Sequence, residues 1–439
     1  MKDLIKKFNV QENAQFPAVD DFIKLAEEIK NDSRVKIYSG GKSELGKTLI
    51  AIEIGNGEKV VGLTAGAHAD EPIGVLTLSY FIKGILKDDD LKPLLEQYTF
   101  ICHPLVDPDG YELNSTWFTN PLEYKTYFLH NFRNNNPALD CEHGIPFQDG
   151  QAARSEMVFV KENLDRYKNR FQYYVTLHSS HVLPGACFVF DQSNTDSNLR
   201  ATITNLCKEY ELPMMDYKVQ GEDTMTYLGP GFIGAPNVSM MLEKYKNQPE
   251  ILKQIKMTTY EYAQNMCGAK TAFISELPIW LSGGMDNYND SNVTMNDFMN
   301  QSYLEQRKYF NRLKEIKELV TPYVVEKNKV MDSLSTALMR GEGHLKDEEQ
   351  RLGSYEGYAQ EMLISESKFS GLEFELKALK YGIKIIENNL DALKLKNELL
   401  KQYEEKSFAY ENGMGLNQLS IRTQVEIQLG LIFSGLELS

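Results

Sequence analysis

Apolar positions along this chain follow two patterns, and the change between them falls near residue 296. Before it, short runs of β-branched and aromatic residues recur: VKIYSG, TLIAIEIG, VVGLTAG, YTFICHPLV, YYVTLHSS, CFVFDQ and TAFISELPIW. Each predicts a strand, and the nearly continuous apolar character suits strands covered on both faces. Between them lie segments with apolar residues three and four apart. In 15–32 these are Val19, Phe22, Ile23, Leu25 and Ile29, and PIGVLTLSYFIKGIL and ARSEMVFVKENLDRYKNRF behave alike, so each predicts a helix. Strands alternating with helices predict an α/β domain over residues 1–324.

Past that point strand signals nearly vanish, and Lys, Glu, Leu and Tyr dominate. A second, mainly helical domain is expected over 325–439. Within it FELKALKYGIKIIENNLDALKLKNELLKQYEEK keeps helical spacing for about eight turns and predicts one long helix. Its partner helix lies either in the same chain or in a second copy, which leaves a homo-oligomer through these helices open. In RTQVEIQLG, Val425, Ile427 and Leu429 alternate with polar residues and predict a strand.

Composition narrows the function classes. A formal charge of −15 over 439 residues, with no basic run, speaks against nucleic acid as a partner. The first residues hold no apolar leader core, and no stretch of about 18 apolar residues occurs, so no membrane partner and a cytoplasmic location are expected. Five cysteines without Cys-x-x-Cys pairing disfavour a disulfide framework and a thiolate metal site; buried free thiols are expected.

One motif misleads. Gly41–Thr48, GKSELGKT, spells a phosphate loop, but that loop needs a helix directly after it. Here TLIAIEIGNG follows, β-branched and closed by a Gly-Asn-Gly turn, so the segment predicts a connection between two strands.

The chemistry points elsewhere. In VVGLTAGAHADEPIG, His68 and Glu71 stand three residues apart where an apolar run gives way to a helical segment, a spacing that lets both reach one metal ion. Catalytic zinc takes three such ligands and keeps a fourth position for water. His178, at the end of the apolar run in FQYYVTLHSSH, is the best third candidate, because sites in sheets of this kind gather beyond the carboxyl ends of neighbouring strands. His181 and His103 compete for the role, with a buried structural histidine the expectation for both.

With these residues in place the chain resembles the carboxypeptidase A-like zinc metallopeptidases over roughly 35–285. GAHADEPIG is similar to the family's His-x-x-Glu, and PLVDPDGYE resembles its Asn-Pro-Asp-Gly turn with Asp107 in place of Asn. YYVTLHSS matches the strand that ends in the third ligand, and TAFISELPIW the strand bearing the catalytic glutamate. The resemblance implies a mixed, mostly parallel eight-stranded sheet flanked by helices and one Zn2+ on His68, Glu71 and His178. It further implies Glu276 as general base, Arg133 and Asn134 as ligands of a substrate carboxylate, and Tyr227 as a mobile tyrosine. Two departures stand out: Phe132 replaces the first Asn of the family's Asn-Arg-Asn run, and NSTWFTN lacks the arginine that follows the Asp-Gly turn. The implied activity is a metallocarboxypeptidase acting on peptides with a free carboxylate. An amidase of cell-wall peptides and a non-catalytic peptide-binding scaffold are the alternatives.

Overall fold

The computed structural model describes residues 1–133, 141–148, 150–192, 196–216, 225–247, 252–253, 255–283, 285, 287–324 and 328–436. The chain divides into two compact units, 1–280 with 418–439, and 281–417. The more compact division thus falls at 280/281, where 324/325 was the expected one, and the last segment returns to the first unit.

Seven of the eight expected strands are present: β1 Val35–Tyr38, β2 Ala51–Ile54, β3 Lys59–Ala65, β4 Tyr98–His103, β5 Phe171–Leu183, β6 Cys187–Asp191 and, after two short strands, β9 Thr271–Leu281. The additions are β7 Thr226–Gly229 and β8 Phe232–Ala235. Among the described residues they make one mixed sheet in the order β1-β2-β4-β3-β5-β9-β6-β8-β7, nine strands along its path, with one more two-residue strand off it, rather than eight. β3 lies parallel to both β4 and β5, and β6 parallel to β8, while β2 runs antiparallel to β4 and β6 antiparallel to β9. Helices flank the sheet, among them Pro72–Lys87 and Ser155–Asp165 as expected.

Two glycines show how tightly the layers fit. A Cβ on Gly62 of β3 would sit 2.2 Å from the Tyr174 ring, and one on Gly74 would meet the Leu177 carbonyl oxygen at 2.3 Å. The second contact seats the first turn of Pro72–Lys87 on β5. Pro72 opens that helix, with its fixed φ and missing N–H suited to the position. Glu71, the residue before it, is thereby held against β5.

GKSELGKT is a strand connection: Lys42 and Thr48 form an antiparallel bridge, β1 pairs with β2, and Ser43 Oγ donates to Asp109 at 2.6 Å. No helix follows it. All five cysteines are buried, and none forms a disulfide.

Residues 425–429 belong to a helix, Ile421–Ser434, and not to a strand. It packs on Pro72–Lys87 and on Ser197–Glu209. Nearly all its positions from Gln424 to Phe433 are buried, so the alternation does not mark one wet and one dry face.

In the second unit, β10 Asp290–Thr294 pairs with β11 Tyr358–Gln360, and helices Met295–Val320, Lys329–Arg351, Glu361–Ile385 and Leu393–Gly413 pack together. The long helix expected over 374–406 is two helices. Between them the Asn389 side chain accepts from the Asp391 N–H at 2.8 Å and caps a short 3-10 turn. The pair closes within the chain: a Cβ on Gly382 would lie 3.0 Å from Leu399 Cδ1. Among the described residues no helix is long and apolar enough to cross a membrane.

Candidate metal centre

β3 ends in a turn through Gly66, whose φ of +65° suits a residue without a Cβ. The turn carries the chain over the sheet's end to His68, Asp70 and Glu71. His178 stands on β5, the parallel neighbour of β3. That strand continues to Leu183 instead of ending at the histidine, although its fully apolar part stops at Leu177. His68, Glu71 and His178 meet there, their ligand atoms all within 4.8 Å of one another.

The geometry is specific at the level of atoms. His68 Nδ1 lies 2.8 Å from Glu71 Oε1, and His178 Nδ1 lies 2.7 Å from Glu71 Oε2. The Ser179 N–H donates to Glu71 Oε2 at 3.1 Å. Burial alone would push the Glu71 pKa up, but His68, His178 and Arg133 hold its carboxylate well below the usual range. Burial would likewise depress His178; Glu71 and Glu142 outweigh it and hold the ring well above the ordinary histidine value.

Two imidazole nitrogens thus face one carboxylate, an arrangement in which a cation would serve all three groups. Two neutral-capable nitrogens and one carboxylate are the donor set of a catalytic zinc site, and the residues fit that metal.

Glu276 stands on β9, the other neighbour of β5, and its Oε2 accepts from Ser180 Oγ at 2.8 Å. Burial and then the negative charge of Glu71 raise its pKa above the ordinary glutamate value. The Glu71 contribution places Glu276 within electrostatic reach of the three ligands.

Arg133 also comes to the cluster. Its Nε donates to Asp70 Oδ1 at 2.8 Å and its Nη2 donates to Glu71 Oε1. The Nε–Nη2 edge expected to grip a substrate carboxylate is thus turned onto the protein's own acids. Burial opposes ionisation of Asp70, but His181 and Arg133 pull its pKa down to about 2. The loop carrying Arg133 is clamped by fully buried Asn114, which donates to the Phe132 carbonyl at 2.8 Å and accepts from the Phe132 N–H at 2.7 Å.

Tyr227 is not brought into this group. It sits on edge strand β7, three places along the sheet from β9, and donates its hydroxyl to Asp216. Asn134 lies outside the described residues. His103 is buried at the end of β4 with neither ring nitrogen hydrogen-bonded, and His181 Nε2 lies 3.1 Å from Asp70 Oδ2.

Sequence reasoning missed Asp70, Asn114, Glu142 and Gln428. Asp70 stands between the two ligands in GAHADEPIG, and a carboxylate in so apolar a segment is itself a signal. Gln428 donates to the His178 carbonyl at 3.0 Å and accepts from Thr77 Oγ1 at 2.8 Å, so the returning C-terminal helix props the strand that bears the ligand.

A mixed sheet flanked by helices, with a His-Glu-His cluster where β3 ends beside β5, defines an α/β protein with the donor set of a metal site. Residues 22–318 match the zinc carboxypeptidase family, and the chain belongs to it. It is 29% identical over 176 residues to a protein of Ajellomyces dermatitidis named inactive metallocarboxypeptidase ECM14, a match covering 34% of this chain and 30% of that one. The chain therefore spans about a third of the length of the curated relatives it matches. Among solved structures, carboxypeptidase A of Helicoverpa armigera aligns at 17% identity and a TM-score of 0.38, covering 61% of this chain and 65% of that one. A metallo-carboxypeptidase of Pseudomonas aeruginosa aligns at 16% and 0.39, covering 59% of each.

Proposed function

We propose that the chain is a zinc-dependent metallocarboxypeptidase, hydrolysing the amide bond next to a free carboxylate of a peptide. The observation that carries this reading is Glu276. A glutamate on the strand beside the His-Glu-His cluster, with a raised pKa and one oxygen occupied by Ser180, is placed to act as a base.

Zinc, when bound to His68, Glu71 and His178, supplies Lewis acidity and lowers the pKa of water. Glu276 takes the water proton on Oε1, its other oxygen being occupied, and delivers that proton to the leaving nitrogen. Arg133, with its Nε–Nη2 edge on Asp70 and Glu71, offers Nη1 to a substrate oxygen. That oxygen belongs either to the terminal carboxylate or to the carbonyl under attack, and the missing arginine after the Asp-Gly turn favours the second. Tyr227 enters this reading only if β7 moves, since its hydroxyl is engaged by Asp216.

Relatives named inactive make a non-catalytic peptide-binding protein the second reading. An amidase of cell-wall peptides remains the rival within the same chemistry. Zinc analysis with a panel of peptides bearing free or amidated C-termini, and of cell-wall peptides, separates the three. The carboxypeptidase binds one zinc per chain and cleaves only the free acids. In Glu276→Gln the zinc stays and hydrolysis falls by about 10²–10⁴-fold, the usual worth of a general base. Zinc without cleavage of any substrate would favour the binding protein.

A further inference from the structure

We propose that Glu142 is a positioning residue for the metal site, holding the His178 ring so that Nδ1 is the nitrogen presented to the metal; this rests on the zinc reading above. Glu142 lies in the segment between helices Tyr124–His130 and Ser155–Asp165, 36 residues before His178 in sequence, and is wholly buried. Its Oε2 is 3.0 Å from His178 Nε2.

A carboxylate in an apolar interior is costly unless donors meet it. Here Thr259 Oγ1 donates to Oε1 at 3.0 Å and the imidazole N–H meets Oε2. Thr259 Oγ1 is in turn 2.9 Å from Thr176 Oγ1. Thr176 and His178 are two residues apart on β5 and so share one face of it. Hydroxyl, hydroxyl, carboxylate and imidazole form a closed loop that starts and ends on the same strand.

The backbone fixes the loop's other side. Ile145 and Met257 exchange both N–H···O bonds at 3.0 Å, pinning the segment that carries Glu142 to the one that carries Thr259.

The chemical consequence concerns the tautomer. An ionised carboxylate only accepts, so the nitrogen facing it must carry hydrogen. With Nε2 engaged by Glu142, Nδ1, which lies 2.7 Å from Glu71 Oε2, is the nitrogen left to give its lone pair to a metal shared with that carboxylate. Without Glu142, rotation of the ring would exchange the two nitrogens. Outer-shell carboxylates on ligating histidines act in this way.

The test uses the full chain and measures zinc affinity by chelator competition, with the visible spectrum of the cobalt(II)-loaded protein as a readout of ligand geometry. Glu142→Ala is expected to weaken zinc by roughly 10- to 100-fold and to alter the cobalt spectrum. Glu142→Gln, whose amide oxygen still accepts from Nε2, should lose less, roughly 3- to 10-fold. Thr259→Val, nearly isosteric, removes the hydroxyl that orients the carboxylate and should cost a few-fold; with the Gln variant it carries the test if Glu142→Ala does not fold. Zinc affinity within about twofold of wild type in both milder variants, with an unchanged cobalt spectrum, overturns the proposal. Wild-type protein that binds no zinc overturns the zinc reading itself, and the proposal with it.

Discussion

Two histidines flank the central strand β3, His103 on β4 and His178 on β5, close to the same end of the sheet. Both are buried, yet their surroundings give them opposite chemistry. His178 has a carboxylate at each nitrogen, Glu71 at Nδ1 and Glu142 at Nε2. His103 is packed among Leu49, Leu105, Val106 and Phe159, and neither nitrogen has a hydrogen-bond partner. Position near this edge of the sheet is thus common to both histidines, but only His178 meets carboxylates, supplied by distant segments, at both nitrogens.

The largest effect that would break the contrast is loss of metal. His178→Ala should lower zinc affinity by more than the roughly 10- to 100-fold that losing an outer-shell partner costs, because a ligand itself is gone. His103→Ala should leave zinc content unchanged. Equal zinc loss in both variants, measured by metal analysis after dialysis, would mean that the two positions are not chemically distinct.

Two arginines sharpen the comparison, one on each side: Arg154 is buried and Arg133 only partly so. Arg154 bonds Asp107 at 3.0 Å and Glu156 at 2.7 Å near His103, whereas Arg133 bonds Asp70 and Glu71 at the metal cluster. Removing one partner of a buried ion pair costs about 3–5 kcal/mol. Arg154→Ala should therefore lose about that much in urea unfolding, with zinc or without it. Arg133 has a side chain 36% exposed, so Arg133→Ala should lose less, about 2–3 kcal/mol in chelator-treated protein. Zinc should shrink that loss, since a cation on Glu71 replaces the lost guanidinium charge. An Arg133→Ala penalty that is the same in both metal states would separate Arg133 from the metal site.

How far these features can be read in advance follows the range of the interactions. His68, Glu71 and His178 are legible because each lies where an apolar run stops, and the seven strands foreseen from apolar runs are legible because those runs are apolar nearly throughout. Strands β7 and β8 are no shorter than β1 and β2, but they contain glycine, so TYLG and FIGA carry no strand signal. Glu142 reaches His178 across 36 residues and Thr259 across 117, and no spacing rule spans such distances. The C-terminal helix deceives for a physical reason. Its Gln424 and Gln428 look like a wet face, but both are buried, and Gln428 bonds the His178 backbone. The expected long helix of the second unit stops at Ile385, and beyond the break the Asn389 side-chain oxygen takes the Asp391 N–H to start a 3-10 turn, a local effect that periodicity does not register.

The smallest predicted effect concerns His103 itself. Burial without a partner lowers its pKa from 6.5 to about 4. Between those values the unfolded chain binds a proton that the folded chain refuses, so stability falls as pH drops through 6.5 and levels off near 4. Moving from pH 7 to pH 5 should cost about 1–2 kcal/mol from this residue alone. His103→Leu removes the titrating group and keeps the site apolar, so its urea midpoint should fall less than that of wild type over the same interval. Both proteins are compared in one metal state, which cancels the contribution of the zinc cluster. The nearby charge that could spoil the effect is Glu156, which lines the same cavity but is held by Arg154. Equal pH slopes in the two proteins would mean that His103 takes up its proton in the fold with Glu156 as partner. In that case the two strand-end histidines would differ only in how many carboxylates they meet, not in whether they meet one.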